Sequence, residues 1–316
     1  MLSGTRVWVG VAVAAALLAA SCSSSDTPQN SDEATSLVDD ATQQSIAPPE
    51  PDAAVATADQ PAPEADGEPV ALARYESESS DVLFDPAVVH TFAIDLDVDK
   101  LAELDADPTA EEYVEGSLTF DGETIGPIGV RYKGSVGAFL FCTNGPNAFD
   151  PSGAKTCTKL SMKLKMNWED GDDTFYGVKK VQLHSQNLDT TKMHERLGYW
   201  LFREMGVPVP RSTHARVEIN GEFVGLFALT EQIDGRFTRE NFDDGSGNLY
   251  KEVWPFNPDG TPRNADEFID GLKTNEDEDP TADMIRQFAQ ELADSEPGTE
   301  IGVIDRWIDV DLFVRT

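Results

Sequence analysis

Basic residues are scarce in this 316-residue chain: 24 Lys and Arg stand against 58 Asp and Glu, a net charge of −34 at pH 7. So acidic a molecule is repelled by nucleic-acid phosphates and by anionic lipid surfaces. Nucleic acid is therefore excluded as a partner, and a polyanionic ligand must find a local exception. Cysteine is scarcer still, three in all. No CxxC pair occurs, and the four histidines, His90, His184, His194 and His214, form no HExxH-type pattern, so nothing marks a zinc site. There is no GxSxG elbow of a serine hydrolase and no internal repeat of a solenoid. The apolar run from Val7 to Ala20 is 14 residues long, too short to span a bilayer.

That run, preceded by Arg6 and followed by Ser21 and Cys22, reads as an export signal over residues 1–22. The small residues ending in Cys22 resemble a lipobox, which implies cleavage before Cys22 and lipidation of its thiol. An ordinary secretory signal cut near Ala20 is the alternative, and both export the protein. Residues 23–69 hold eleven Asp or Glu and seven Pro, with no Lys, Arg or aromatic residue. Such a stretch buries too little apolar surface to offset its ordering entropy, so residues 23–80 are expected to be a disordered, acidic, Pro-rich linker. If Cys22 carries lipid, Cys142 and Cys157 remain as an even pair in a compartment where disulfides persist. A bridge between them is expected, with two free buried thiols as the alternative.

The folded part, residues 81–316, starts with a strand over Val88 to Leu96 and a short helix over Asp99 to Leu104. Tyr113 to Phe120 and Ile128 to Lys133 flank Asp121-Gly122 as a hairpin, and a glycine-containing loop follows. Leu160, Met162, Leu164, Met166 and Trp168 alternate with Ser161, Lys163, Lys165 and Asn167, which places two lysines on one face of a strand. Lys180 to His184 is a further strand. A helix capped by Asp189 to Thr191 runs to Met205 and stops at Gly206 and Pro208. It is apolar nearly all round and should pack on more than one side. Glu195 on it is either a partly desolvated carboxylate in need of a cation or a first-turn residue serving the helix dipole. His214 to Ile219 and Glu222 to Glu231 flank Asn220-Gly221 as a second hairpin. A polar connector, a short strand at Asn248 to Lys251, an acidic loop over Asn257 to Pro280, and helices over Thr281 to Ala293 and Val303 to Thr316 complete the chain.

Charge is distributed against the overall balance. From Gly129 to Arg196 there are ten basic residues and seven acidic ones. A net-positive island beside a glycine loop suits a phosphate ligand, whereas lysines on a solvated edge strand would also produce it. The order of elements, a Gly-containing turn, a strand presenting Lys, a helix presenting Glu, then two strands ending in a polar connector, is that of a protein-kinase small lobe.

Arg131 to Gly134 (RYKG), Lys159 to Asn167 (KLSMKLKMN), Glu195 to Arg211 (ERLGYWLFREMGVPVPR), Val217 to Asp234 (VEINGEFVGLFALTEQID) and Gly247 to Lys251 (GNLYK) resemble the spore coat protein H (CotH) kinase family. The resemblance implies an exported or surface atypical kinase that uses ATP with Mg²⁺ or Mn²⁺ to phosphorylate Ser or Thr on protein substrates. It implies an α+β, atypical protein-kinase-like fold with a β-rich small lobe, one packed helix and an incomplete helical large lobe. Lys165, with Lys163 as understudy, would cradle phosphates and pair with Glu195. Arg131, Lys133 and Gly134 would form the glycine loop, and Glu231 to Asp234 the connector beside the nucleotide. The family's catalytic Asp and Asn loop and its metal-binding Asp are expected downstream of the helix that begins near Asp309. This chain is thus expected to hold the nucleotide-binding part and to be inactive alone, with no catalytic residue assigned and the metal ligands unknown. The localisation implied is a lipoprotein on the outer face of the bacterial cytoplasmic membrane or at the cell surface. The competing reading is a non-catalytic structural or binding protein of the cell envelope or spore coat.

Overall fold

A computed structural model describes residues 79–134, 136–147, 149–168, 171–251, 253–276 and 282–316. The export segment with Cys22, and all but the last two residues of the linker over 23–80, lie outside the described residues. No helix among the described residues is long and apolar enough to cross a membrane.

Period-two patterning builds seven strands: β1 (His90–Leu96), β2 (Val114–Phe120), β3 (Glu123–Tyr132), β4 (Met162–Lys165), β5 (Lys180–His184), β6 (Ser212–Ile219) and β7 (Glu222–Thr230). The β2–β3 and β6–β7 hairpins turn at Asp121-Gly122 and Asn220-Gly221, all four residues with positive φ, as such a tight turn demands. The strands close into a barrel in the order β1-β2-β3-β4-β5-β7-β6. The seam is a parallel pairing of β1 with β6, from His90 opposite Ala215 to Ile94 opposite Ile219. Asn220 fastens that seam: its backbone N–H donates to the Ile94 carbonyl at 2.9 Å, and its Oδ1 accepts from the Leu96 N–H at 2.8 Å.

Alternate side chains from every strand fill the interior. Phe92, Ile94, Leu118, Ile125, Val130, Leu164, Leu183, Val217, Phe227 and Leu229 are all fully buried in one core. This finding corrects the expected architecture: the chain is a closed mixed β-barrel and not a two-lobed, kinase-like α+β fold. The order of the seven barrel strands was read correctly, but order along the chain does not reveal that β1 has a second partner. Pairing both edges of β1 removes the open edge that a small-lobe sheet would keep.

Eight helices accompany the barrel among the described residues. α1 (Val98–Ala106) and α2 (Val136–Phe139) sit in the connections to and from the β2–β3 hairpin. α3 (His194–Glu204) crosses the outside of β5, β7 and β6, and the five after the barrel are short. They are α4 (Gly235–Asn241), α5 (Ala265–Asp270), α6 (Asp283–Ala293), α7 (Glu300–Trp307) and α8 (Val310–Arg315). α5 interrupts the expected acidic loop because Asn264 and Glu267 form a reciprocal capping box. The expected final helix breaks in two where Ile308 is extended and Asp309 caps α8. The expected strand at Asn248 to Lys251 reduces to a single bridge between Tyr250 and Leu272.

Two further features differ from expectation or settle an alternative. α3 packs on one side only, and Leu197, Trp200, Leu201 and Met205 form an exposed apolar stripe along the other. Cys142 and Cys157 are disulfide-bonded, with Cα atoms 4.7 Å apart, which pins the loop that follows α2.

Candidate functional site

Since Met162 and Leu164 of β4 point into the barrel, Lys163 and Lys165 project from its outer surface. Lys163 lies between Arg131 of β3 and Gln182 of β5 in the strand register. Two residues beyond Arg131, the chain leaves β3 at Lys133, whose backbone N–H donates to the Ser161 carbonyl at 2.9 Å. That bond holds the Lys133 side chain over the same face. Its ammonium donates to Gln182 Oε1 at 2.6 Å and meets His184 Nε2 at 2.9 Å. Arg131, Lys133 and Lys163 thus gather on one patch, with Lys180 and Lys251 contributing positive charge nearby.

Two carboxylates border the patch, and both are committed. Glu111 is ion-paired with the Arg131 guanidinium, and its other oxygen accepts from the Gly134 N–H at 3.0 Å. Glu195 of α3 is 2.7 Å from His184 Nδ1 and accepts from the Thr230 hydroxyl at 2.5 Å. Burial alone would raise the Glu195 carboxyl, but its bonds to His184 and Thr230 and the Lys133 charge together hold it below the usual carboxylate range.

The cations show the opposite strain. Burial, followed by the charges of Lys133, Arg131, Lys180 and Lys251, pulls the Lys163 ammonium down to about 7. Burial and Lys251 pull Lys133 down to about 8, against the opposing pull of Glu195 and Glu111. Lys163 makes no hydrogen bond and no close ion pair with any described residue, although its charge acts on Glu111, which is already paired with Arg131, and Arg131 Nε is buried without a partner among the described residues. A half-buried ammonium left without an acceptor among like charges is costly in isolation, and an anion is the ligand that relieves the cost at Lys163.

Gly134 closes the patch on one side. At φ +152° its backbone is one that side chains rarely adopt, and a Cβ there would stand 2.2 Å from the Ala138 Cβ of α2. This tight approach lets the Gly134 N–H reach Glu111.

The sequence-predicted residues divide accordingly. Arg131, Lys133, Gly134, Lys163 and Glu195 meet around this patch. Lys165 does not join the cations: its ammonium lies 5.5 Å from the centre of the Trp168 ring. Neither Lys163 nor Lys165 bonds Glu195, whose immediate partner is His184. Glu231 is almost fully buried in an ion-pair cluster with Arg211, at 2.8 Å, and Arg236. Asp234 caps α4 by accepting from the Arg236 and Phe237 N–H groups. These two connector residues thus serve the framework.

Glu111, Gln182, His184 and Thr230 escaped sequence reasoning. Gln182 and His184 carry one usable signal, two polar residues at i and i+2 on the outer face of a strand whose Val181 and Leu183 are buried. Among the described residues no group of three His, Cys, Asp or Glu side chains is placed to hold a metal ion.

A family model described as CotH kinase protein matches residues 130–315, from the last residues of β3 into α8. β1, β2 and most of β3, nearly half of the barrel, lie outside that match. No curated protein matches the chain.

Proposed function

We propose, from the premise that this chain belongs to the CotH kinase protein family, that it is the nucleotide-binding polypeptide of an exported, membrane-tethered phosphotransferase. In this reading the Arg131, Lys133 and Lys163 patch holds the phosphates of ATP, and proteins bearing Ser or Thr are the acceptors. The observation that carries it is Lys163, a half-buried ammonium with no hydrogen-bond acceptor, set beside other cations and a Glu111 carboxylate already paired with Arg131. Anion binding is what such a cluster does chemically: it neutralises the ligand's charge and restores each donor's missing acceptor.

Lys163 and Lys133 would bind terminal phosphate oxygens, and Arg131, held by Glu111, would add positive charge beside them. These residues suit the phosphates of ATP. Mg²⁺ or Mn²⁺, which the family resemblance implies, does not find a preformed ligand set among the described residues, and no step is assigned to it. Glu111 and Glu195 are both engaged in bonds, so neither is free to orient an acceptor hydroxyl. The patch binds and orients. The lipid anchor at Cys22 and the location outside the membrane belong to the same proposal and rest on the sequence pattern.

The test is thermal unfolding with ATP, with its non-hydrolysable analogue and with pyrophosphate at low salt. A ligand that binds only the native state raises its melting temperature. A rise abolished by Lys163→Met supports the reading, and no rise at millimolar ligand overturns it. Labelled ATP with Mn²⁺ and casein would then report transfer.

A second reading, a non-catalytic envelope or coat protein, is favoured by the apolar stripe on α3, which suits a protein partner. It predicts no response to nucleotide in the same experiment.

A further inference from the structure

Lys133 is an amine whose immediate acceptors are both uncharged. Gln182 Oε1 and His184 Nε2 come from alternate positions of β5 and so share one face. The nearest committed carboxylate, Glu195, stands behind the imidazole, 2.7 Å from His184 Nδ1. An ammonium has no lone pair, so the contact at Nε2 requires that nitrogen to accept. The ring's proton is then on Nδ1, donated to Glu195. Thr230, donating to the same Glu195 oxygen, holds the carboxylate in place from β7.

We propose that His184 is a positioning residue that relays the Glu195 charge to Lys133 and holds that ammonium, with its third N–H free, facing the anion patch. The identity of the anion rests on the reading above; the relay itself does not. The arrangement answers a physical problem. Burial and the neighbouring Lys251 and Arg131 charges drive a proton off Lys133, whereas Glu195 and Glu111 oppose them. A carboxylate touching Lys133 directly would neutralise it and occupy its last donor. Acting through a neutral ring, Glu195 keeps the amine charged and leaves that donor for a ligand.

The relay makes a distinction between variants that a merely structural histidine would not. Glutamine at position 184 can donate from Nε2 to Glu195 and accept at Oε1 from Lys133, so His184→Gln retains both bonds. His184→Leu retains bulk and loses both. The measurement is the titration of Lys133 in the full chain carrying lysine labelled with ¹³C at Cε, the signal assigned by its disappearance in Lys133→Arg.

His184→Leu and Glu195→Gln each lower the Lys133 midpoint by about one pH unit, and His184→Gln leaves it within a few tenths. Pyrophosphate binding by calorimetry weakens about tenfold in His184→Leu and recovers in His184→Gln. An unchanged Lys133 midpoint in a folded His184→Leu variant overturns the relay, as does a glutamine variant that behaves like leucine. A midpoint that shifts as stated while wild type binds neither pyrophosphate nor ATP leaves the relay standing and removes the nucleotide reading.

Discussion

The Lys165 ammonium rests 5.5 Å from the centre of the Trp168 ring, whose own edge fills the space over Gly129 that a Cβ would otherwise occupy. Gly129 is the residue directly opposite Lys165 on β3. The lack of a side chain there makes room for the indole, and the indole draws Lys165 away from the neighbouring cations. Of two lysines on one strand face, only Lys163 is left for the patch.

Lys163→Ala and Lys165→Ala are therefore expected to differ. Losing a charged hydrogen-bond donor to phosphate costs about 1.5–3 kcal/mol, so Lys163→Ala should weaken pyrophosphate binding roughly tenfold to a hundredfold. Lys165→Ala should change it by about twofold or less, as expected of a screened charge. Isothermal titration at low ionic strength compares them, and equal losses would place Lys165 in the site.

Anion affinity should fall as pH rises. Lys163 is held near 7 and Lys133 near 8, against an ordinary lysine value of 10.5. A bound polyanion favours both ammonium forms, so at pH 8 binding takes up protons. Calorimetry in buffers of different ionisation enthalpy reads this uptake directly, and a heat independent of the buffer would contradict it.

The same amines set a sign for stability. Between about 7 and 10.5 the unfolded chain binds more protons than the folded one at Lys163, so this contribution to stability rises with pH in that window. Lys163→Met should be more stable than wild type at pH 7, and the difference in melting temperature should shrink as pH approaches 10.

Glu231 is expected to matter for folding. Replacing it with Gln removes the buried carboxylate from Arg211 and Arg236, which keep only the more exposed Asp81 and Glu240 as partners, and the loss should be about 1–3 kcal/mol. Urea denaturation measures this loss. Pyrophosphate affinity of the remaining folded protein should be close to wild type.

Gly134→Ala should both destabilise the chain and weaken anion binding, because the new Cβ meets Ala138 and the backbone must leave φ +152°. The Gly134 bond to Glu111 is then lost, and with it part of the restraint on Arg131.

Strands and hairpins were legible in the sequence because alternation and turn dipeptides are local: Met162 and Leu164 announce the inside of β4, and Asn220-Gly221 announces its turn. The barrel was not legible, since the pairing of His90 with Ala215 is set by packing between distant segments. The site was half legible. For Glu195 the sequence left two roles open, a carboxylate in need of a cation or a first-turn residue serving the helix dipole, and spacing along β4 cannot say which lysine stands across from it. The answer, Lys133 through His184, depends on how β3 exits the barrel at Ser161. α3 was expected to be enclosed on the strength of its apolar residues, but helical periodicity counts apolar side chains without showing what covers them.

The seam joins residues 124 positions apart, Leu96 and Asn220. As the chain emerges, from a ribosome or across a membrane, one edge of β1 must therefore wait unpaired until β6 has followed it. An emerging chain spends that interval with its most apolar strands uncovered, and this is when holdase chaperones would have their strongest claim on it.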